Sequence, residues 1–144
     1  MLSDAEKKQV IPLLMQVPIF SSFDKKSLES LANSGAKKTH ESGEVIAKQG
    51  EKAVTFYLIL DGSVEVRRGA KVLAKLGKGQ FFGEMALFDE QPRSADVVAK
   101  EETTCFVLTS WSFAGMIAPN PKIAQAVIKE LVRRLRETDK TLSE

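Results

Sequence analysis

Glycine recurs at short intervals between residues 36 and 108 and separates brief stretches rich in β-branched and aromatic residues. Such stretches favour pleated strands, and the glycines between them mark tight turns. The pattern predicts an antiparallel β-barrel or jelly roll (a double-stranded β-helix). Within it, residues 64–76 are expected to form a hairpin that turns at Arg68 and Gly69, with Val64 and Val66 pointing inward.

Helical patterns precede the predicted strands. Ser3 and Glu6 have capping-box spacing, which predicts a first helix that is short or bent because it contains Pro12. Asp24 is a candidate N-cap for a second short helix, and Gly35 is expected to end it.

Helical patterns also follow the strands. Ser110 is predicted to cap a helix that begins at Trp111, and Asn120 with Pro121 is a strong start for the last helix. The fold class is therefore mixed α+β, mainly β. The chain is interpreted as one domain with three parts: N-terminal helices over 1–35, a β-barrel over 36–109 and C-terminal helices over 110–144.

The last helix carries apolar or small residues at alternating steps of four and three, which is a heptad seam. Its members are Ala124, Ile128, Leu131, Leu135, Thr138 and Leu142. The seam predicts a homodimer through the C-terminal helix. Val127 and Val132 widen the stripe, so packing of the helix within one chain stays open as the alternative.

Composition excludes several classes of protein. The net charge of +2 is too weak to predict nucleic-acid binding, and no apolar run approaches the roughly 20 residues of a membrane span, so a cytoplasmic domain is expected. The single cysteine, Cys105, is interpreted as a buried, inert thiol, and the single histidine, His40, as a surface residue before a strand. One His and one Cys can build neither a cupin-type metal site nor an iron–sulfur cluster, so no metal cofactor is expected.

The segment GQFFGEMALFDEQPRSADVVA, residues 79–99, combines groups that suit a nucleotide. Gly83 permits close backbone approach, and EMAL after it can begin a helical turn with free N–H groups. Arg93 and Ser94 could then hold a phosphate, while Glu84 could accept a hydrogen bond from a ribose hydroxyl. A structural salt bridge between Glu84 and Arg93 fits the same spacing.

This segment resembles the phosphate-binding cassette of the cyclic nucleotide-binding domain family, which is placed here at residues 81–97. The match rests on Phe82-Gly83-Glu84-Met85-Ala86-Leu87 and Arg93-Ser94-Ala95, and the upstream strand pattern VIAKQGEKAVTFYLILDGSVEV is also present. The resemblance implies that Glu84 accepts the ribose 2′-OH and that Arg93 and Ser94 hold the cyclic phosphate. It further implies that backbone N–H groups assist at Gly83, Ala86 and Ala95.

The last helix is most similar to that of catabolite activator-like members, which places Thr138 and Asp139 as possible base contacts. Asp139 as an acceptor favours the amino group of adenine, hence cAMP over cGMP, although the Ser94 hydroxyl can also hold a guanine amino group. Thr138 could equally be a polar residue of the seam.

The sequence therefore predicts a regulatory sensor module, not an enzyme, that binds a 3′,5′-cyclic nucleotide and couples occupancy to movement of the C-terminal helix. The alternative is a dimerisation or interaction module with a vestigial pocket or a different ligand. Arg133, Arg134 and Arg136 on the last helix are interpreted by default as a solvated face, with base stacking or a partner contact as the alternative.

Overall fold

The computed structural model describes residues 2–143, and the side chains of residues 2–140. Two helices precede the strands and two follow them; one short 3₁₀ helix lies between the first two helices, and a second lies between two of the strands. The helices are α1 Asp4–Leu14, the 3₁₀ helix Pro18–Phe20, α2 Lys25–Ser34, the 3₁₀ helix Glu84–Leu87, α3 Ser110–Ile117 and α4 Pro121–Ser143. The strands are β1 Ala36–His40, β2 Val45–Ala47, β3 Thr55–Asp61, β4 Ser63–Arg68, β5 Lys71–Gly77, β6 Phe81–Phe82, β7 Asp96–Ala99 and β8 Thr103–Thr109.

The strands form two four-stranded antiparallel sheets, in the orders β1-β8-β3-β6 and β2-β7-β4-β5. The two sheets make an open jelly roll rather than a closed barrel, and helices flank it, so the predicted fold class is confirmed. The β4–β5 hairpin turns at Gly69 and Ala70, one residue later than the predicted turn. Val64 is fully buried and Val66 packs against the interior of the roll, as expected.

Two apolar cores share the central strands β3 and β8. The first core lies between the outer face of the β1-β8-β3-β6 sheet and the helices, and it includes Phe20, Phe56, Leu58, Phe106 and Phe113. The second core lies inside the roll and is built around Ala47, Ile59, Val64, Val97 and Cys105. Because side chains alternate along a strand, β3 supplies both cores, which explains its uninterrupted apolar sequence.

The N-terminal helix signals are confirmed. Ser3 and Glu6 form a reciprocal capping box, and α1 continues through Pro12 to Leu14. The side chain of Asp24 accepts the hydrogen bond from the amide of Ser27 at the start of α2.

Two details differ from expectation. Thr109, not Ser110, caps α3, because the Thr109 hydroxyl accepts from the Ser112 amide while Ser110 hydrogen-bonds the Glu90 carboxylate. His40 is 1% exposed rather than a surface residue, because it ends β1 with its ring inside the roll. Its Nδ1 contacts the Glu44 carboxylate.

Cys105 is a buried free thiol, and burial raises its pKa to about 11, so the interpretation of an unreactive thiol is confirmed. Within residues 2–143, no helix is both long and apolar enough to cross a bilayer. The same part of the chain contains no group of three or more His, Cys, Asp or Glu residues that could hold a metal ion.

Gly35 ends α2 as predicted, but for a reason other than backbone freedom. Its φ of −108° is open to any residue. A Cβ atom there would lie 2.3 Å from Cζ of Phe106 and 2.6 Å from the carbonyl oxygen of Val107. Glycine is therefore required because the helix end lies directly on the aromatic core.

We expect Gly35→Ala to lower the free energy of unfolding by about 1–3 kcal/mol, because the added methyl overpacks the Phe106 ring. Gly115→Ala in α3 is the matched control. A Cβ at Gly115 meets nothing within 4 Å, so the higher helix propensity of alanine should raise stability by about 0.5–1 kcal/mol. Urea denaturation followed by circular dichroism measures both, and equal effects of the two substitutions would contradict this explanation.

Candidate functional site

The candidate site begins at the turn between β6 and the 3₁₀ helix Glu84–Leu87. Gly83 adopts left-handed geometry there, with φ 78°. A Cβ atom at this position would lie 2.6 Å from Nη1 of Arg93 and 2.7 Å from the carbonyl oxygen of Thr55. Both the backbone conformation and the close approach of Arg93 therefore require glycine. The single helical turn predicted for EMAL is confirmed.

The first core anchors this short helix. Ala86 and Leu87 are buried, and the ring of Phe88 meets that of Phe113 in α3 edge-on, with 5.3 Å between ring centres. The amide of Ala86 donates to the carbonyl oxygen of Gly83 at 3.1 Å. The Ala86 N–H, implied by the family resemblance as a phosphate donor, is thus engaged within the turn in this structure.

Arg93 is held on the inner side of the site by neutral groups. Its Nη2 donates to the carbonyl oxygen of Thr55 at 2.8 Å, and its guanidinium carbon lies 5.8 Å from the centre of the Tyr57 ring. Burial lowers the pKa of Arg93 from its ordinary value, because the charged form loses solvation there. Among the described side chains, no carboxylate forms a salt bridge with Arg93. The site therefore contains a partly buried positive charge that lacks an anionic partner.

Glu84 pairs with a residue of the last helix and not with Arg93, so the simple Glu84–Arg93 salt bridge is wrong. The guanidinium of Arg134 meets the carboxylate in a parallel fork, with Nη1–Oε1 at 3.2 Å and Nη2–Oε2 at 3.3 Å. Both side chains are largely shielded, at 28% exposure for Arg134 and 17% for Glu84. This contact joins the cassette to α4 across 50 residues of sequence.

The packing of α4 explains how Arg134 reaches the cassette. Ile123 and Val127 are buried in the first core, and α4 contacts the 3₁₀ helix Pro18–Phe20. Arg134 follows Val127 by seven residues, so it lies on the same face two turns later. The expectation of a solvated face is thus wrong for Arg134. The seven-residue spacing of Arg134 from Val127 indicates a shielded position, and sequence analysis missed this indication.

The other predicted site residues lie in the cassette, after Arg93, and in α4, after Arg134. Ser94 is exposed and Ala95 is buried, and the Ser94 carbonyl oxygen accepts a hydrogen bond from Nε of Arg68 at 3.1 Å. Thr138 is exposed, and its hydroxyl donates to the carbonyl oxygen of Arg134 within α4. Asp139 is exposed beside it. The base contact assigned to Thr138 and Asp139 stays a prediction.

A family model described as "Cyclic nucleotide-binding domain" matches residues 37–120. The chain is 42% identical over 89 residues to a cAMP-dependent protein kinase regulatory subunit of Schizosaccharomyces pombe, an alignment that covers 61% of this chain and 22% of that protein. It is 32% identical over 127 residues to the Cyclic AMP receptor protein of Thermus thermophilus, which covers 85% of this chain and 59% of that one. The chain thus spans only part of these relatives.

Among solved structures, the fold matches the N-terminal domain of a transcriptional regulator from Streptomyces coelicolor A3(2). The TM-score is 0.86 at 26% identity, and the match covers 90% of this chain and 94% of that domain. The similarity therefore includes the flanking helices as well as the strands.

Proposed function

The chain belongs to the cyclic nucleotide-binding domain family. We therefore propose that it is a non-catalytic sensor module that binds cAMP and couples ligand binding to movement of α4. The observation that carries the proposal is Arg93, a partly buried guanidinium beside Gly83 with no salt-bridge partner among the described side chains. A desolvated charge without a counter-ion is unfavourable, and an anionic ligand would supply one.

In this proposal, the cyclic phosphate lies against Arg93 and the hydroxyl and N–H of Ser94, with the backbone at Gly83 and Ala95 close by. The Ala86 amide contributes only if it donates to the phosphate as well as to the carbonyl oxygen of Gly83, its acceptor in this structure. An arginine fork can give a phosphate two parallel hydrogen bonds, which fixes the orientation of the ligand as well as its affinity.

Glu84 accepts the ribose 2′-OH in the same arrangement. An ionised carboxylate offers about four acceptor positions on its two oxygens, and the Arg134 fork uses one on each oxygen in this structure. The ribose hydroxyl therefore approaches a carboxylate whose two oxygens Arg134 already engages, and competition between the ribose and Arg134 for Glu84 couples ligand binding to the position of α4.

The preference for cAMP over cGMP rests on two observations. The relatives named above are a cAMP-dependent kinase subunit and a Cyclic AMP receptor protein. Asp139 on α4 also supplies an acceptor suited to the adenine amino group. The second candidate function, an interaction module with a vestigial pocket, is the outcome if no cyclic nucleotide binds.

The first test is a thermal-shift panel with cAMP, cGMP and cyclic dinucleotides, followed by calorimetry. At 100 times Kd, a ligand that binds only the folded state raises the free energy of unfolding by about 2.7 kcal/mol, or Tm by roughly 5–10 °C for a chain of this size.

Arg93→Ala should weaken cAMP binding about 10- to 150-fold, since a charge-assisted hydrogen bond contributes about 1.5–3 kcal/mol.

Arg133→Ala is the matched control for Arg93→Ala. Arg133 forms ion pairs with Glu130 and Glu137 within α4, so its loss should leave Kd nearly unchanged. An Arg93 variant that binds cAMP like the wild type would exclude the phosphate site, and no shift with any ligand would favour the vestigial pocket.

We expect Arg134→Gln to tighten cAMP binding roughly 2- to 10-fold, because it removes a shielded ion pair worth about 1 kcal/mol that competes for Glu84. It should also reduce the ligand-induced change in the distance between spin labels at Lys38→Cys and Lys129→Cys, which report on β1 and α4. Arg133→Gln carries the same charge change and should alter neither quantity. Weaker binding by Arg134→Gln would indicate instead that Arg134 stays on Glu84 in the bound state.

We further propose that α4 pairs two copies of the chain. Its domain-facing stripe buries Ile123 and Val127, whereas Ile128, Val132 and Leu135 remain exposed at 57%, 41% and 62%. These three follow i, i+4, i+7 spacing and form a second apolar stripe. Two of them belong to the predicted heptad seam, whose last member, Leu142, has its side chain outside the described residues.

The double variant Ile128→Asp/Leu135→Asp should be monomeric in sedimentation equilibrium at concentrations where the wild type is dimeric. Its thermal stability, extrapolated to low concentration, should change little, because both side chains are exposed in the monomer. Lys129→Asp, at a position outside the stripe, should remain dimeric. A wild type that is monomeric with and without cAMP would contradict the proposal.

A further inference from the structure

Arg68 lies where the interior of the roll opens beside the cassette. It is the last residue of β4, and it follows Val64 and Val66 at strand alternation. Those two valines belong to the second core. Because β4 pairs regularly with β7 as far as Arg67–Asp96, alternation places the Arg68 side chain on the inward face at the end of the strand.

A hydrogen bond fixes this side chain against the cassette. Nε of Arg68 donates to the carbonyl oxygen of Ser94 at 3.1 Å. Among the described side chains, neither Nη1 nor Nη2 of Arg68 has a hydrogen-bond or salt-bridge partner. The neighbouring Arg67 differs, since it lies on the outer face and pairs with Glu65.

The anchor places a second unpaired guanidinium next to the phosphate donors. Ser94 supplies both the carbonyl group that holds Arg68 and, in the proposed function, the hydroxyl and N–H that hold the phosphate. Arg93 contributes the first positive charge, and the remaining charged pair, Glu84 with Arg134, is neutral as a unit. Arg68 and Arg93 are therefore two guanidinium groups beside Ser94 that form no salt bridge with any described side chain.

We propose that Arg68 is a second cationic contact for the phosphate, which selects ligands by the charge on that group. The inference rests on the proposed function. The two Nη atoms reach an exocyclic phosphate oxygen either directly or through one water, with Nε remaining on Ser94. Because Arg68 is exposed, its contribution is moderate and is screened by salt.

The test compares Arg68→Gln, Arg68→Lys and the control Lys71→Gln by titration calorimetry with cAMP at several salt concentrations. Lys71 faces Arg68 across the hairpin, so the control removes a charge at the same hairpin end. Arg68→Gln should weaken cAMP binding about 2- to 5-fold at moderate salt and more at low salt, as expected for an exposed charge pair. Arg68→Lys should recover part of the loss, and Lys71→Gln should have little effect.

A second ligand separates contact with the phosphate from a structural role. In a neutral phosphotriester of cAMP the charge is absent, so Arg68→Gln should change its binding far less than that of cAMP. An equal loss with both ligands, or no loss with cAMP, would overturn the role of Arg68 while leaving the proposed function intact. A wild type that binds no cyclic nucleotide would overturn both.

Discussion

The burial of β3 on both faces is the constraint on which the core and the site depend. Phe56 and Leu58 pack against the helices, whereas Tyr57 points into the roll. The strand therefore has one possible register, because a shift by one residue would exchange the two cores. The same register fixes the site, since the carbonyl of Thr55 and the ring of Tyr57 hold Arg93.

Unpaired positive charge distinguishes this site from an ordinary ionic network on a surface. Arg93 loses solvation, yet its contacts on the described part of the chain are a carbonyl oxygen and an aromatic ring. Such a group lowers the stability of the folded protein, and an anion that binds there stabilises the folded state again. Glu84, the carboxylate that the salt-bridge interpretation paired with Arg93, instead pairs with Arg134, so Arg93 keeps its charge without an anionic partner among the described side chains.

Local signals predicted most of the fold and the backbone turn on which the candidate site is built. The capping box at Ser3, the end of α2 and the turn after Gly83 depend on neighbouring residues, so a single sequence contains the required information. His40 and Arg134 were misjudged because their environments come from distant segments. The polar neighbours of His40 predict an exposed side chain, and the adjacent arginines of Arg134 predict a solvated one. Only the packing of the sheet and of α4 shows that both side chains are shielded.

The strength of the Glu84–Arg134 contact limits how much control it can give alone. A ligand shifts α4 only by its differential affinity for the two helix positions, and a shielded surface pair worth about 1 kcal/mol corresponds to roughly fivefold coupling. Stronger control requires a further contact between the ligand and α4. Thr138 lies four residues past Arg134, about 6 Å along the helix axis, and a base bound there would engage the same helix. The ribose contact would then release the helix, and the base contact would set its new position.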